Sequence, residues 1–166
     1  MVGGDTGNRR ELDFYPTPPE VTHALMNIIG RFGVIHEPAC GQMDMVAVLM
    51  EYSDKVLAGD IILGQDYLTL EPKGADAIIT NPPFFLAEQF ITKALKESPV
   101  VAMLLKGHYW QAKKRYDFFI KNPPSLILPL TWRPDFSGKG APTMEMAWSV
   151  WGVDVKSKTF YLPVTK

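Results

Sequence analysis

Asn81-Pro82-Pro83-Phe84 is the segment of this chain whose residue types and setting could do chemistry. It follows the apolar run Ala77-Ile78-Ile79-Thr80 and precedes Leu86-Ala87-Glu88-Gln89-Phe90-Ile91, which reads as a helix. A polar amide fixed between a strand and a helix by two prolines points to chemistry on an amino group. The tripeptide alone is weak evidence: Asn122-Pro123-Pro124 repeats it, but after a Lys-rich helical segment and before Ser125. Setting decides between the two, so the elements that position each segment matter.

A chain of 166 residues, 46% of them apolar, fits one compact domain with a real core. Residues 1–13 are polar and Gly-rich and predict a flexible leader, with the ordered domain running over 14–166. The net charge of -1 conceals a local basic stretch, Lys106, Lys113, Lys114, Arg115 and Lys121, while acids dominate positions 37–76. Nucleic-acid binding would have to use a local basic face, and a solvated helix face explains the same lysines equally well. The single cysteine, Cys40, excludes an internal disulfide framework. The start has no signal-peptide pattern, no apolar run nears the roughly 20 residues that span a bilayer, and the three histidines lack zinc spacing. The expected compartment is the cytoplasm, and no metal is expected.

Pro18 and Pro19 open a segment, Glu20 to Ile29, whose Val21, Leu25, Ile28 and Ile29 share a helical face that Gly30 can end. Strands are expected at Val34–Glu37, Lys55–Gly59, Ala75–Thr80 and Val100–Leu105, with helices at Met45–Glu51, Phe84–Lys96 and Tyr109–Ile120. Residues 61–74 are too few for a full crossover helix plus strand, so an element there is shortened or replaced by loop. Leu126–Leu130 and Met146–Trp151 predict an antiparallel pair closing the sheet. The pattern is α/β: a single Rossmann-like domain with a mostly parallel sheet and a C-terminal antiparallel hairpin. Ligands of such sheets bind at the carboxyl ends of the strands.

Those ends carry Glu37-Pro38-Ala39-Cys40-Gly41, then Asp60, then Gln65-Asp66-Tyr67, then Asn81 to Phe84. Asp60 lies 19 residues beyond Gly41, close to the spacing at which an acid meets the ribose hydroxyls of a nucleotide-like ligand. Over about residues 14–152 the sequence resembles the amino-group DNA methyltransferases that use S-adenosylmethionine, particularly the small N6-adenine enzymes of phages. The resemblance rests on Phe14-Tyr15-Pro16-Thr17-Pro18, the Glu37–Gly41 loop and Asn81-Pro82-Pro83-Phe84, with Lys106 and Arg133-Pro134-Asp135-Phe136 as softer matches. It implies that Tyr15, Thr17 and Pro18 contact the cofactor, and that Glu37, Ala39 and Gly41 line its methionine end. By the same resemblance Asp60 binds the ribose, Asp66 accepts from the adenine amine, and Tyr67 and Pro82 flank the adenine ring. A carboxylate is an acceptor only and suits hydroxyl and amine donors. Taken singly, each acid fits a helix cap or a solvated loop as readily.

The resemblance makes Asn81, Pro82, Pro83 and Phe84 the catalytic segment. The Asn81 side-chain oxygen and the Pro82 carbonyl would each accept one hydrogen of the target amine, freeing its lone pair, and Phe84 would stack on an extruded base. An Asn cap followed by a helix-starting proline is the bland alternative. Family members have glycine two residues after Gly41, where this chain has Met43. Glycine permits a positive φ and close approach to a ligand, so Met43 must either swing outward or obstruct cofactor binding.

The chain has no room for the extra recognition domain of larger relatives. DNA recognition would fall to loops such as 131–145 or to a second subunit, whether a homo-oligomer or a recognition partner. Lys113, Lys114, Arg115, Arg133 and Lys139 are the candidate nucleic-acid contacts. The competing readings are a protein or RNA methyltransferase, since similar Asn-Pro-Pro-aromatic segments serve both, and a catalytically silent nucleic-acid-binding protein.

Overall fold

The computed structural model describes residues 15–154 and Tyr161. The expected leader, Phe14 and most of the C-terminal segment lie outside the described residues. Six strands form one sheet in the order β2-β1-β3-β4-β6-β5. They are β1 (Phe32–Glu37), β2 (Ser53–Ala58), β3 (Ala77–Thr80), β4 (Val100–Lys106), β5 (Leu126–Pro129) and β6 (Met146–Trp151). β2, β1, β3 and β4 run parallel, whereas β6 pairs antiparallel with both β4 and β5. The chain is therefore α/β with an antiparallel C-terminal pair, as the alternation predicts.

Helix α1 (Pro19–Ile29) begins on the pre-set φ of proline and ends at Gly30, whose φ of 82° lets its N–H reach the Met26 carbonyl at 2.8 Å. α2 (Asp44–Leu49) is short, and α3 (Ala87–Glu97) follows the Asn-Pro-Pro segment. No helix joins β2 to β3. A 3₁₀ turn at Ile61–Leu63 and loop replace it, the shortening that the spacing of residues 61–74 required.

Strand alternation splits the core between the two faces of the sheet. Ala77, Ile79, Ala102 and Leu104 pack with Val21 and Leu25 of α1 and Leu49 of α2. Ile78, Val101, Met103 and Leu105 pack with Phe90, Ile91 and Ala94 of α3. Buried Trp148 ties the first face together by donating from Nε1 to the Val21 carbonyl at 3.0 Å.

The helix expected over Tyr109–Ile120 does not form as one element. Two 3₁₀ turns, Tyr109–Gln111 and Lys113–Arg115, precede a short α4 (Tyr116–Lys121). The cause is packing. Trp110 is buried against Tyr109, Phe119 and Trp151, and its Nε1 donates to Ser149 Oγ at 2.9 Å. The chain then breaks at Ala112, which is extended (φ -78°, ψ 121°), so no continuous helix passes through it.

Candidate active site

The carboxyl ends of β1, β2 and β3 surround a cavity of about 680 Å³, within the usual range for small-ligand sites. Its wall includes Tyr15, Thr17, Glu37, Ala39, Gly41, Asp60, Asp66, Tyr67, Asn81 and Pro83. Four separate sequence segments thus meet at one place. Pro18 and Pro82 do not line the wall: Pro18 accepts from Val21 N–H at 3.0 Å at the start of α1, and Pro82 is buried. Phe84 is turned to a neighbouring cleft, leaving Phe85 beside the cavity.

The backbone of the first two strand ends is stitched together. Gly59 N–H donates to the Glu37 carbonyl and Cys40 N–H to the Gly59 carbonyl, both at 2.9 Å. Asp60 completes the stitch, accepting from Gly41 N–H at Oδ2 (2.8 Å) and from Ile62 N–H at Oδ1 (2.9 Å). Its carboxylate therefore holds two loops in place, while each oxygen keeps acceptor capacity for a ligand. Asp66 caps the next turn, its Oδ1 accepting from Leu68 N–H at 3.1 Å.

Glu37 is fully buried. Its Oε1 accepts from Ala39 N–H at 2.9 Å and from the Thr80 hydroxyl in a short hydrogen bond, while Oε2 has no partner among the described residues. Burial raises its pKa from 4.5 to about 8, reinforced by the nearby Asp60 charge and opposed by the Thr80 and Ala39 hydrogen bonds. Burial likewise raises the Cys40 thiol, with Glu37 and Asp60 adding to the effect. On the neighbouring strand position His36 is pushed down to about 4, by burial first and then by Lys73 and Lys93. Tyr67 is buried, donates to Glu97 Oε2 at 3.0 Å and packs on Phe90 with ring centroids 4.9 Å apart. Burial and the Glu97 charge push its phenol well above the usual range.

Asn81 is held by the segment before α1. Its Nδ2 donates to Thr17 Oγ1 at 3.0 Å and approaches the Tyr15 carbonyl at 3.4 Å. A carbonyl can only accept, so the amide nitrogen must face it and Oδ1 is left for another donor. The Phe84 ring meets Tyr15 at 5.3 Å, and the Lys106 ammonium lies 4.6 Å from its centroid. Tyr15 is braced in turn by Phe136 at 5.5 Å.

Met43 points away from the cavity. It is 43% exposed, is absent from the wall and has φ 73°, the left-handed conformation that a glycine would supply. Its carbonyl accepts from Ala47 N–H at 3.0 Å and starts α2. The backbone turn is retained despite the methionine, and the obstruction that the sequence raised does not arise.

A second cleft of about 1000 Å³ adjoins the first across Phe85, which lines both. Lys114, Arg115, Lys93, Lys96 and Phe84 lie in its wall, together with Glu71, Glu88 and Glu97. Lys93 pairs with Glu97 at 2.6 Å, and Arg115 lies 3.9 Å over the Tyr109 ring. Lys113 is exposed outside the cleft, Arg133 pairs with Glu145 at 2.8 Å, and Lys139 lies in the 131–145 loop. The five candidate cations are thus not brought together.

The sequence reading missed Thr80, Asp44, Gln42, Phe85 and the Ile61-Ile62 turn. Ile61 and Ile62 line the cavity and are 57% and 70% exposed, and an apolar pair directly after a strand-end acid was the available signal. Phe85 was readable only as half of a Phe pair. Among the described residues no cluster could hold a metal ion, and no helix is long and apolar enough to cross a membrane.

No protein-family model and no curated protein matches the chain. Solved structures do. A dimethyladenosine transferase from Plasmodium falciparum superposes with a TM-score of 0.56 at 11% identity, over 82% of this chain and 62% of that one. A type I restriction-modification methyltransferase subunit from Streptococcus thermophilus gives 0.57 at 12%, over 87% of this chain and 46% of that one, so the chain spans about half its length. The precorrin 8W decarboxylase from Methanobacterium thermoautotrophicum gives 0.58 at 13%, over 86% and 95% of the two chains. At these identities the likeness is one of fold, and the fold is the class I, Rossmann-like methyltransferase fold.

Proposed function

We propose that the protein transfers a methyl group from S-adenosylmethionine to the exocyclic N6 amine of adenine in DNA. The observation that carries the cofactor half is the charge of the cavity: Asp44, Asp60 and Asp66 line it beside the buried Glu37 acid, and among the described residues no lysine or arginine does. A dinucleotide would bring its pyrophosphate among carboxylates, whereas a sulfonium with an ammonium group is cationic where the wall is acidic. The residues fit such a cofactor. Glu37 Oε2 lacks a partner, Asp60 and Asp66 keep acceptor capacity for hydroxyl and amine donors, and Tyr67 and the Ile61-Ile62 turn give apolar surface for a purine.

When bound, S-adenosylmethionine supplies an electrophilic methyl group. The chain's task is then alignment, for which well-oriented reactions gain on the order of 7–11 kcal/mol. Adenine's amine is a poor nucleophile because its lone pair is delocalised into the ring. Asn81 Oδ1, held by the Thr17 and Tyr15 contacts of its nitrogen, accepts one amine hydrogen, whereas buried Pro82, off the cavity wall, is not placed to take the other. A fixed acceptor favours the pyramidal amine over the planar one, and no strong general base is needed. Phe84 and the 58% exposed Phe85 offer aromatic surface for an extruded base, worth roughly 1–3 kcal/mol per stacked base.

The substrate half rests on the adjoining cleft, which sets Lys96, Lys114 and Arg115 beside those phenylalanines. Cations near stacking rings suit a phosphate-linked chain. Lys106 must leave the Phe84 ring for a base to stack on the face it covers. Calorimetric titration tests the cofactor half: S-adenosylmethionine is expected to bind, and NAD and ATP are not. Absence of S-adenosylmethionine binding at millimolar concentration, or preferential binding of either phosphate-bearing nucleotide, overturns the reading.

A further inference from the structure

We infer that Glu37 exchanges its proton for the ammonium group of the incoming cofactor, so that loading the cavity releases a proton and selects ligands with an intact amino-acid end. The inference deepens the cofactor reading above and rests on it. Its basis is the asymmetry of one carboxyl group. Glu37 is fully buried, and its Oε1 already accepts from the Ala39 N–H and the Thr80 hydroxyl. A proton on the group therefore resides on Oε2, the oxygen without a partner among the described residues. With no acceptor there, the acid is a donor waiting for a ligand, and once ionised it is a bare buried acceptor.

Among the described residues, the surroundings provide no compensating cation. Asp60, from the turn after β2, disfavours ionisation of Glu37, and Cys40 lies in the same loop. Asp44 and Asp66 line the same cavity, the uncharged Thr80 at the end of β3 bonds Glu37 while Asn81 just beyond it lines the wall, and the segment before α1 contributes Tyr15 and Thr17. Lys73, whose charge reaches Cys40 and His36, is engaged at 3.0 Å by Gln65 Oε1. The acid keeps its proton to about pH 8 in the free protein, mainly through burial. An ammonium placed at Oε2 reverses that balance, because an opposite charge at contact favours the ionised form.

The exchange balances simply. The neutral Glu37 acid gives its proton to solvent, and the carboxylate left behind pairs with the ligand ammonium, whose own protons stay in place. Below about pH 8 the apparent affinity then rises about tenfold per pH unit, since binding and proton loss are linked.

The test is calorimetric titration of the full chain at pH 7 in phosphate and in Tris, whose ionisation enthalpies differ. Three probes are compared: S-adenosylmethionine, S-adenosylhomocysteine and 5′-methylthioadenosine, which lacks the amino-acid end. About one proton is expected to leave with each of the first two and none with the third. In Glu37→Gln the release with the first two is lost. Binding of S-adenosylmethionine without proton release, or equal release with methylthioadenosine, overturns the inference while leaving the cofactor reading intact. The three wild-type titrations decide the matter even if Glu37→Gln fails to fold. No binding by any probe removes the cofactor reading itself.

Discussion

Replacing Glu37 with glutamine should stabilise the free protein in alkaline solution and leave it little changed in acid. At pH values below 4.5 both folded and unfolded chains hold the Glu37 proton, and burial of the neutral acid carries no ionisation cost. Between 4.5 and about 8 the unfolded chain ionises while the folded chain keeps its proton, so the unfolded state gains stability with each pH unit. Above about 8 the folded state is ionised too, and the cost is complete. Each pH unit in that window is worth about 1.4 kcal/mol, giving a ceiling of about 5 kcal/mol that relaxation around the buried charge will lower. Glutamine has the same shape and no such titration. Urea unfolding of both proteins at pH 5, 7 and 9, compared at equal slopes, measures the difference. The variant should gain on the wild type by several kcal/mol from pH 5 to pH 9. A difference that is the same at both ends would refute the placement of an uncompensated acid in the core.

Thr80→Val removes the hydroxyl donor to Glu37 Oε1 and should cost about 1–3 kcal/mol at pH 9 in urea unfolding, while moving the Glu37 transition to higher pH, because that bond favours the ionised form. An unmoved transition would contradict the assignment. Met43→Gly relieves a left-handed methionine at the price of a freer unfolded chain, for a net gain of about 0.5–1 kcal/mol, with S-adenosylmethionine affinity unchanged because the side chain points outward. A markedly tighter complex would show that Met43 does intrude. Lys96→Ala and Lys114→Ala should each weaken DNA binding and reduce its salt dependence by about one in log–log slope; unchanged slopes would remove the cleft from the DNA path.

The sheet and the gathering of the acids at one cavity were legible because they depend on local pattern. Strand runs alternate with helical faces. Glu37 ends β1, Asp60 follows β2 and Asn81 follows β3, so parallel pairing brings these three to one end, and the turn after Asp60 carries Asp66 to the same cavity. Whatever depends on tertiary burial was not. The state of Glu37 is set by burial against the opposing Thr80 hydrogen bond from 43 residues away, and Oε2 finds no partner among the described residues. The 3₁₀ turn at Phe84–Leu86 turns Phe84 toward Tyr15 and Lys106 and leaves Phe85 between the two cavities, a rotation that the letters of the motif do not encode. Trp110 broke the expected helix through a hydrogen bond to Ser149 that lies 39 residues along the chain. For Met43 the sequence posed two outcomes, and only the backbone angle chose between them.

The central claim is that Asn81 presents an amine-accepting oxygen beside a cofactor cavity. It is tested most directly by transfer of tritiated methyl from S-adenosylmethionine to unmethylated DNA, total RNA and total protein, with the wild type and Asn81→Ala side by side. The expected result is label on DNA, in N6-methyladenine, lost by at least 100-fold in the variant (about 3 kcal/mol or more of barrier) although S-adenosylmethionine still binds. Label confined to RNA or protein would contradict the substrate, and an active Asn81→Ala protein would contradict the mechanism.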